Sequence, residues 1–344
     1  MLLLPSLPSC FHNSISSHTD SISNTSCMPQ NLITTVYQTR ICKAAAFMTL
    51  TWSKTHSSHS LTINIDSSFT VSIPISPSSL FSSFFFGNKP GSKPISLPNH
   101  NCRHKPKLLW DFTRAHFAGA SAEPVSNFYL AVSHASRIEF FIGDLQEDAL
   151  RRLGAAPALK KEPALLSALV SRREHVFGQR SYATKAEFLG ANHEIVIECA
   201  GGALRVKVDG VVGLVVKRLA WKFRGNERIS VGGADVEFYW DVFNWVGGEG
   251  KEGGGSHGVF VFQVGDGGVW PELAGPEKRL MRKSFSTGGS SSSSPGNWSV
   301  LQWAEERSEG SRSCSSSSSS YSSASSSSCR SGGFSLLLYA WRTD

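Results

Sequence analysis

The sequence lacks any apolar segment long enough to cross a lipid bilayer. Its apolar runs, such as residues 84–86 and 211–216, are far shorter than the roughly 20 residues that a membrane-spanning helix needs. The short run at residues 2–4 has no basic residue before it and is interrupted by Pro5 and Pro8, unlike a secretory signal peptide. We therefore expect neither a transmembrane segment nor secretion.

Lysine and arginine are missing from the first 30 positions, which are rich in serine and contain a single acid, Asp20. A plastid transit peptide would be rich in arginine as well as serine. We therefore predict a disordered N-terminal tail, and an intracellular location, cytoplasmic or nuclear, in preference to a plastid one.

Closely spaced cysteine pairs are also absent. The seven cysteines are odd in number, widely scattered and form no C-x-x-C pair. They are Cys10, Cys27, Cys42, Cys102, Cys199, Cys314 and Cys329. This pattern predicts reduced thiols.

Charged residues make up only 18% of the chain, and the basic ones exceed the acidic ones to give a net charge of +7. Such a surplus favours contact with an anionic surface, either an acidic protein, a nucleic acid or an anionic lipid surface. The hydrophobic content, 40% of 344 residues, is enough to form a substantial core.

Apolar and polar residues alternate with a period of two over much of the chain, as in strands with one buried face. Residues 61–66 (LTINID) and 204–209 (LRVKVD) are clear examples, and Asp209-Gly210 is typical of a tight hairpin turn. Helical spacing occurs only at residues 145–153 and 164–170, with Asp144 as a candidate N-cap. We predict an all-β, mostly antiparallel sandwich or barrel with one or two short helices.

Composition divides the chain into six segments. They are a disordered tail (1–30), a first β half (31–143) with an irregular Pro-rich insertion (76–101), a short helical connection (144–180), a second β half (181–283), a Ser-rich disordered tail (284–333) and a terminal strand (334–344).

An internal repeat links the two β halves. The pattern L-x-[IV]-x-[IV]-D begins at Leu61 and again at Leu204, 143 positions later, and Trp110-Asp111 matches Trp240-Asp241, 130 positions later. Residues 86–88 (FGN) and 224–226 (RGN) both end in Gly-Asn, at an intermediate offset of 138. We interpret this order as a duplicated β-meander whose two halves superimpose.

Several longer segments carry a family resemblance. They are residues 219–226 (LAWKFRGN), 236–245 (VEFYWDVFNW), 171–178 (SRREHVFG), 141–144 (FIGD) and 36–39 (VYQT). Together they resemble the plant family of uncharacterised proteins designated domain of unknown function 868, over roughly residues 31–341. The resemblance implies a plant origin and no assigned activity.

Candidate catalytic and metal-binding residues are sparse. The neighbouring pairs Glu174-His175 and His193-Glu194 would point to opposite strand faces, so we identify no catalytic residue and no cofactor. The spacing of His100, Cys102 and His104 makes them a weak zinc-ligand candidate, because alternate residues of an extended segment share one face. Without an evident fourth ligand, a basic polar loop is the alternative interpretation.

A basic segment is the better binding candidate. Residues 214–223 have a strand pattern that would place Leu219, Trp221 and Phe223 on the buried face. The basic side chains expected on the exposed face, or just beyond the turn, are Arg218, Lys222, Arg224 and Arg228. Ser284 and Ser286 follow a basic stretch and are candidate phosphorylation sites.

Three functions fit these features. The first is a non-enzymatic macromolecular interaction module that presents the basic strand and a phosphorylatable tail. The second is a β-barrel carrier of a small apolar ligand, with Trp240, Phe238, Ile197 and Val206 lining its cavity. The third is an enzyme of unknown type. A filled interior would favour the first over the second.

Overall fold

The computed structural model describes residues 31–55, 58–75, 89–98, 102–119, 121–154, 167–246, 257–265 and 333–343. Within these ranges the chain forms 19 strands and two short helices, mostly in antiparallel sheets. The predicted all-β class is therefore confirmed. In the same part of the chain, no helix combines the length and apolar character needed to cross a membrane.

The first half of the chain contributes four strands to a large sheet and forms a smaller four-stranded sheet that packs against them. The first four strands are β1 (Asn31–Ile41), β2 (Ala44–Lys54), β3 (His59–Ile65) and β4 (Phe69–Pro74), joined as an antiparallel meander. The second sheet contains β5 (Gly91–Pro94), β6 (Lys107–Asp111), β9 (Tyr129–His134) and β10 (Arg137–Gly143), in the order β10-β9-β6-β5. The short pair β7 (His116–Phe117) and β8 (Pro124–Ser126) lies between β6 and β9 in the sequence. We call this unit the first lobe.

The second half repeats this plan. Its first meander is β12 (Ser181–Phe188), β13 (Ala191–Ala200), β14 (Ala203–Val208) and β15 (Val211–Val216). Its second meander is β16 (Arg224–Val231), β17 (Ala234–Asp241), β18 (His257–Val264) and β19 (Phe334–Arg342). We call this unit the second lobe. Strand β19 is the terminal strand that the sequence predicts.

One strand, β11 (Ala168–Gly178), joins the lobes into a nine-stranded sheet. It pairs antiparallel with β1 and parallel with β19, which gives the order β16-β17-β18-β19-β11-β1-β2-β3-β4. This sheet therefore contains one meander from each lobe. The other meander of each lobe forms a separate, smaller four-stranded sheet.

Each lobe has its own core between the large sheet and its small sheet. In the first lobe, Trp52 and Ile63 pack with Leu108, Leu130 and Phe140. Phe238, Phe260 and Leu336 pack with Ile197 and Val206 in the second lobe. The period-two pattern of the sequence is visible in the burial of β12, where alternate residues are buried and exposed. The fold is thus a two-lobed sandwich.

The predicted duplication appears in matching hydrogen bonds. Asp66 accepts a hydrogen bond from the backbone N–H of Phe47 at 2.8 Å, and Asp209 accepts one from the N–H of Glu194 at 2.9 Å. Both aspartates have positive φ, 48° and 51°, and each follows the repeated strand motif. The two sites are equivalent ends of β3 and β14.

A second pair of equivalent positions involves glycine and tryptophan. Gly91 pairs across the strands with Trp110, and Gly225 pairs in the same way with Trp240. The sequence match at residues 86–88 lies outside the described part of the chain, and the structural counterpart of Gly225 is Gly91. Superposition of the whole halves stays a prediction.

The connection between the halves differs from the prediction. Helix α1 (Gln146–Arg152) confirms the first expected helix, and its buried Ala149 packs on the outer face of the β6–β9 sheet. The second predicted helix, 164–170, was wrong over residues 168–170, because β11 begins at Ala168. The helical connection to residue 180 was wrong for the same reason, since pairing on both sides fixes β11 as a central strand.

Three smaller corrections concern a predicted helix cap, a second short helix and the Pro-rich insertion. Asp144 does not cap α1: its carboxylate accepts hydrogen bonds from the backbone N–H groups of Asn127 and Phe128, and these bonds lower its pKa. A short helix α2 (Phe243–Val246) was not predicted. The insertion at 76–101 is not irregular throughout, because it contains β5. The predicted disordered tails, apart from Gly333, lie outside the described residues.

Candidate functional site

The basic segment that the sequence predicts as a strand is a turn. Strand β15 ends at Val216 and β16 begins only at Arg224. Arg218 has a φ of 57°, and its carbonyl accepts hydrogen bonds from the N–H groups of Trp221 (2.9 Å) and Lys222 (3.1 Å). This reversal breaks the period-two alternation, so the prediction of one basic face and one apolar face was wrong. We call residues 217–222 the basic turn.

The apolar residues of this segment have three different environments. Leu219 is buried, as expected, and its N–H donates to the carbonyl of Gly202 at 2.8 Å. Phe223 is partly buried against the second-lobe core. Trp221, in contrast, is 86% exposed, so its predicted core position was wrong.

The basic residues also fall into two groups. Arg224 donates to Asp241 at 2.7 Å, and its guanidinium lies 5.6 Å from the ring of Phe243. Arg228 pairs with Asp235 and Glu237 at 3.5 and 3.4 Å. These two charges are therefore largely balanced by acids, so the structure does not bring them together with the basic turn as one cationic face.

The cations of the basic turn, unlike Arg224 and Arg228, are not balanced by described acids. Lys217, Arg218 and Lys222 are exposed, and none of them forms an ion pair with another residue that the structure describes. They flank the exposed Trp221. Sequence reasoning found Arg218 and Lys222 but missed Lys217 and the exposure of Trp221, since a left-handed residue at Arg218 has no signal in the sequence.

The basic turn is anchored to the core by a buried tryptophan. The indole N–H of Trp240 donates to the carbonyl of Lys222 at 2.9 Å, and the Trp240 side chain is only 4% exposed. Trp240 is therefore a core residue that positions the turn. The next residue begins a turn, because the Asp241 carboxylate accepts from the N–H of Phe243 at 3.0 Å.

Strand β15, which leads into the basic turn, is an edge strand with an apolar surface. It pairs with β14 and has no second hydrogen-bonded neighbour among the described strands. Val211, Val212 and Val215 are 70%, 48% and 43% exposed. We define β15 and the basic turn together as the edge surface. It combines an open backbone edge, exposed valines, a tryptophan and three cations.

A second cluster of charged groups lies where the lobes meet. Arg172 of β11 donates to Glu123 at 2.8 Å and to Glu174 at 3.2 Å, and its side chain is only 13% exposed. Although burial opposes the charged form, the two carboxylates raise the pKa of Arg172 above its ordinary value. Burial, assisted by Glu123, raises the pKa of Tyr37 to about 12. We call this group the lobe junction.

In each adjacent pair of an acid and a histidine, the two side chains have different contacts. Glu174 accepts a hydrogen bond from Thr184 in the lobe junction at 2.7 Å, whereas His175 packs against the rings of Tyr339 and Trp341. In the other pair, His193 contacts Asp209 at 2.7 Å and Glu194 is exposed. Neither pair forms an acid–base dyad.

Two of the three predicted zinc ligands, Cys102 and His104, lie within the described residues. His100 lies outside the described residues, and Cys102 forms a disulfide with Cys42, so the prediction that all cysteines are reduced was wrong for this pair. The two cysteines are 60 residues apart, and their Cα atoms are 5.5 Å apart. Folding, not spacing, brings them together. Cys199 is a free thiol in the second lobe, and burial raises its pKa to about 12.

Another set of metal-compatible groups adjoins this disulfide. One side-chain donor atom from each of Cys42, His134 and Glu139 lies within 4.8 Å of the others. No local pattern in the sequence indicates this group, because Cys42 lies in the β1–β2 hairpin, far in sequence from His134 and Glu139 in the β9–β10 hairpin. Ser284 and Ser286, the candidate phosphorylation sites, are outside the described residues.

The fold and the edge surface define an all-β, two-lobed sandwich protein with a solvent-facing edge strand. The chain belongs to the family described as plant protein of unknown function (DUF868), whose model matches residues 28–342. The resemblance seen in the sequence is thereby confirmed. No curated protein and no solved structure matches the chain.

Proposed function

We propose that the protein is a non-enzymatic interaction module whose edge surface binds an extended, acidic segment of a partner protein. The observation that carries this proposal is the exposure of Trp221, 86%. It lies between cations that form no ion pair with another described residue, next to a strand edge that no described strand covers. Large aromatic side chains with nearby cations are typical of the residues that contribute most to protein interfaces.

The open edge of β15 favours a peptide over the other anionic partners. Unpaired N–H and C=O groups on an edge strand can be satisfied by the backbone of an added strand. A nucleic acid or a lipid headgroup offers no such backbone. Lys217, Arg218 and Lys222 complement acidic side chains at the end of that strand, which supports an acidic sequence.

The packing of the second lobe gives less support to the carrier alternative. Phe238 lies 4.8 Å from Phe262, 5.9 Å from Trp240 and 6.1 Å from Phe260, measured between ring centroids. Ile197 and Val206 pack in the same core and are fully buried. These side chains contact one another, as expected for a filled interior. An enzyme remains the third hypothesis, with no residue assigned to a reaction.

The proposal is tested with the full-length protein and a fluorescent library of extended peptides rich in Asp and Glu. Anisotropy should detect salt-sensitive binding that is lost in both Trp221→Ala and the double variant Arg218→Glu/Lys222→Glu. Arg228→Glu is the matched control, because Arg228 is an exposed, ion-paired cation on β16, outside the edge surface. It should retain binding.

The same assay separates the competing partners. Single-stranded DNA and vesicles with anionic lipid are the other two probes. Preference for either probe over every acidic peptide, or peptide binding that is unchanged in both edge-surface variants, would overturn the proposal. The phosphorylatable tail with Ser284 and Ser286, and the cytoplasmic or nuclear location, stay predictions of the sequence.

A further inference from the structure

Four potential zinc ligands converge at one end of the first lobe. Cys42 lies in the β1–β2 turn, and His134 and Glu139 belong to the neighbouring β9–β10 hairpin. Cys102, in the loop before β6, is held beside Cys42 by the disulfide. Two thiolates, an imidazole and a carboxylate form a donor set that zinc binds in proteins.

The spacing of two of these groups suits a tetrahedral metal. His134 Nδ1 and Glu139 Oε1 are 3.2 Å apart. Two ligand atoms that each bind zinc at 2.0–2.1 Å are about 3.3 Å apart in a tetrahedron. An ion could therefore enter between the imidazole and the carboxylate with little rearrangement of either side chain.

The surroundings hold the carboxylate in place. The backbone N–H of Cys42 donates to Glu139 Oε2 at 2.8 Å, which leaves Oε1 directed at His134. Hydrogen bonds of this kind orient metal ligands. His134 Nε2 is buried and has no hydrogen-bond partner among the residues described. The side chains of His134 and Glu139 are 18% and 19% exposed, which leaves a route for an ion.

We propose that the reduced protein binds one zinc ion through Cys42, Cys102, His134 and Glu139, and that the disulfide blocks this site. A dithiol reductant transfers two electrons and two protons to the Cys42–Cys102 bond and is itself oxidised to a disulfide. The two thiols then lose their protons as zinc binds. Their sulfur atoms separate to about 3.8 Å, the distance expected for two zinc–sulfur bonds of 2.3 Å.

The test uses the full-length protein and a variant that keeps only the two cysteines of the site. In that variant serine replaces Cys10, Cys27, Cys199, Cys314 and Cys329. Each protein is prepared oxidised, and also reduced with dithiothreitol and then desalted. Zinc is titrated against a chromophoric chelator, and cobalt replaces zinc to report thiolate ligation through its sulfur-to-metal charge-transfer absorption.

We expect one zinc per chain in the reduced protein and affinity at least about 100-fold weaker in the oxidised protein. Cys102→Ser, His134→Ala and Glu139→Gln should each weaken binding by about 10-fold or more. Cys199→Ser in the wild-type chain should leave the zinc affinity of the reduced protein unchanged. Thermal melting identifies variants that fail to fold, and the cobalt spectrum of the reduced two-cysteine protein tests the proposal without changing any ligand.

Three results would each overturn the proposal. The first is a reduced two-cysteine protein that binds zinc no more tightly than its oxidised form. The second is a cobalt complex without thiolate charge transfer. The third is a cobalt complex that is unchanged in folded His134→Ala and Glu139→Gln variants.

Discussion

Trp240 lies across Gly225 of the neighbouring strand, so closely that a Cβ atom at Gly225 would overlap the indole ring. Trp110 covers Gly91 in the same way in the first lobe. Each glycine provides the space for a tryptophan at the second-to-last position of its strand. In the second lobe this tryptophan also holds the basic turn through the carbonyl of Lys222.

Substitution of this glycine should therefore damage both the core and the edge surface. We expect Gly225→Ala to lower the free energy of unfolding by about 1–3 kcal/mol, because the added methyl group displaces Trp240. Chemical denaturation followed by tryptophan fluorescence measures the change. Gly213→Ala is the control, since its Cβ would meet Ile229 at an ordinary contact distance of 3.6 Å. Equal effects at the two glycines would contradict this account.

The exposure of Trp221 predicts a small effect on stability. Trp221→Ala should change the free energy of unfolding by no more than about 0.5 kcal/mol, because the indole is in solvent. In contrast, Trp52→Ala should cost about 3–5 kcal/mol through a core cavity, since Trp52 is fully buried. Thermal and urea denaturation compare the two variants. A large loss in Trp221→Ala would mean that this side chain packs in the folded protein.

The stability of the folded protein should depend on Arg172 in the lobe junction. Arg172→Met leaves Glu123 and Glu174 partly buried without their cation, and we expect a loss of about 3–5 kcal/mol. Adding Glu123→Gln and Glu174→Gln should recover much of this loss. Arg205→Met, which removes a half-exposed arginine paired with Glu198, is the control and should cost less than about 1 kcal/mol. Urea denaturation measures the free energy of unfolding of the wild type, Arg172→Met, the triple variant and Arg205→Met.

The turn after β14 should make the free energy of unfolding depend on pH in the acidic range. A hydrogen bond with His193 and another from the N–H of Glu194 lower the pKa of Asp209 below its ordinary value of 3.8. A carboxyl group with a depressed folded-state pKa stabilises the protein above its unfolded-state pKa, and this contribution is lost as the pH falls. Asp209→Asn should therefore be less stable than the wild type at neutral pH, and the difference should shrink below about pH 4.

Denaturation curves across the acidic range measure this difference. Asp235→Asn is the control, because its carboxylate is 68% exposed and lies 3.5 Å from Arg228. It should change stability little at any pH. A constant difference between wild type and Asp209→Asn across the range would show that the loss at neutral pH does not come from the ionised carboxylate.

The disulfide should stabilise the first lobe. Closing a loop of 60 residues lowers the entropy of the unfolded chain by an amount equivalent to about 4 kcal/mol at room temperature. The double variant Cys42→Ser/Cys102→Ser should lose about this much stability relative to the oxidised protein when both are measured with a chelator. Reduced wild type should resemble the variant. No difference between the oxidised and reduced wild-type proteins would contradict the prediction.

Local alternation made much of the fold predictable. Residues such as Leu61, Ile63, Leu204 and Val206 could be assigned to buried strand faces because side chains alternate across a strand. The matching aspartates at positions 66 and 209 revealed the duplication, since both end a strand in the same turn. These features depend on neighbours in sequence.

The same reasoning failed where tertiary contacts override a local pattern. Residues 214–223 alternate like a strand, yet the left-handed backbone at Arg218 and the bond from Trp240 to Lys222 fold the segment into a turn. The segment 168–178 was expected in a helical connection, but pairing with β1 and β19 makes it a central strand.

The sequence by itself determined the all-β class and the cationic character of residues 217–222, because composition and period-two spacing are local properties. Its longer motifs indicated the family, and its repeated motifs predicted two superimposable halves, which stays a prediction. Tertiary structure decided which residues form sites. It exposed Trp221, placed Arg172 between two acids, and joined Cys42 to Cys102 beside His134 and Glu139. Such groupings depend on strand order and register over tens of residues, which no local pattern encodes.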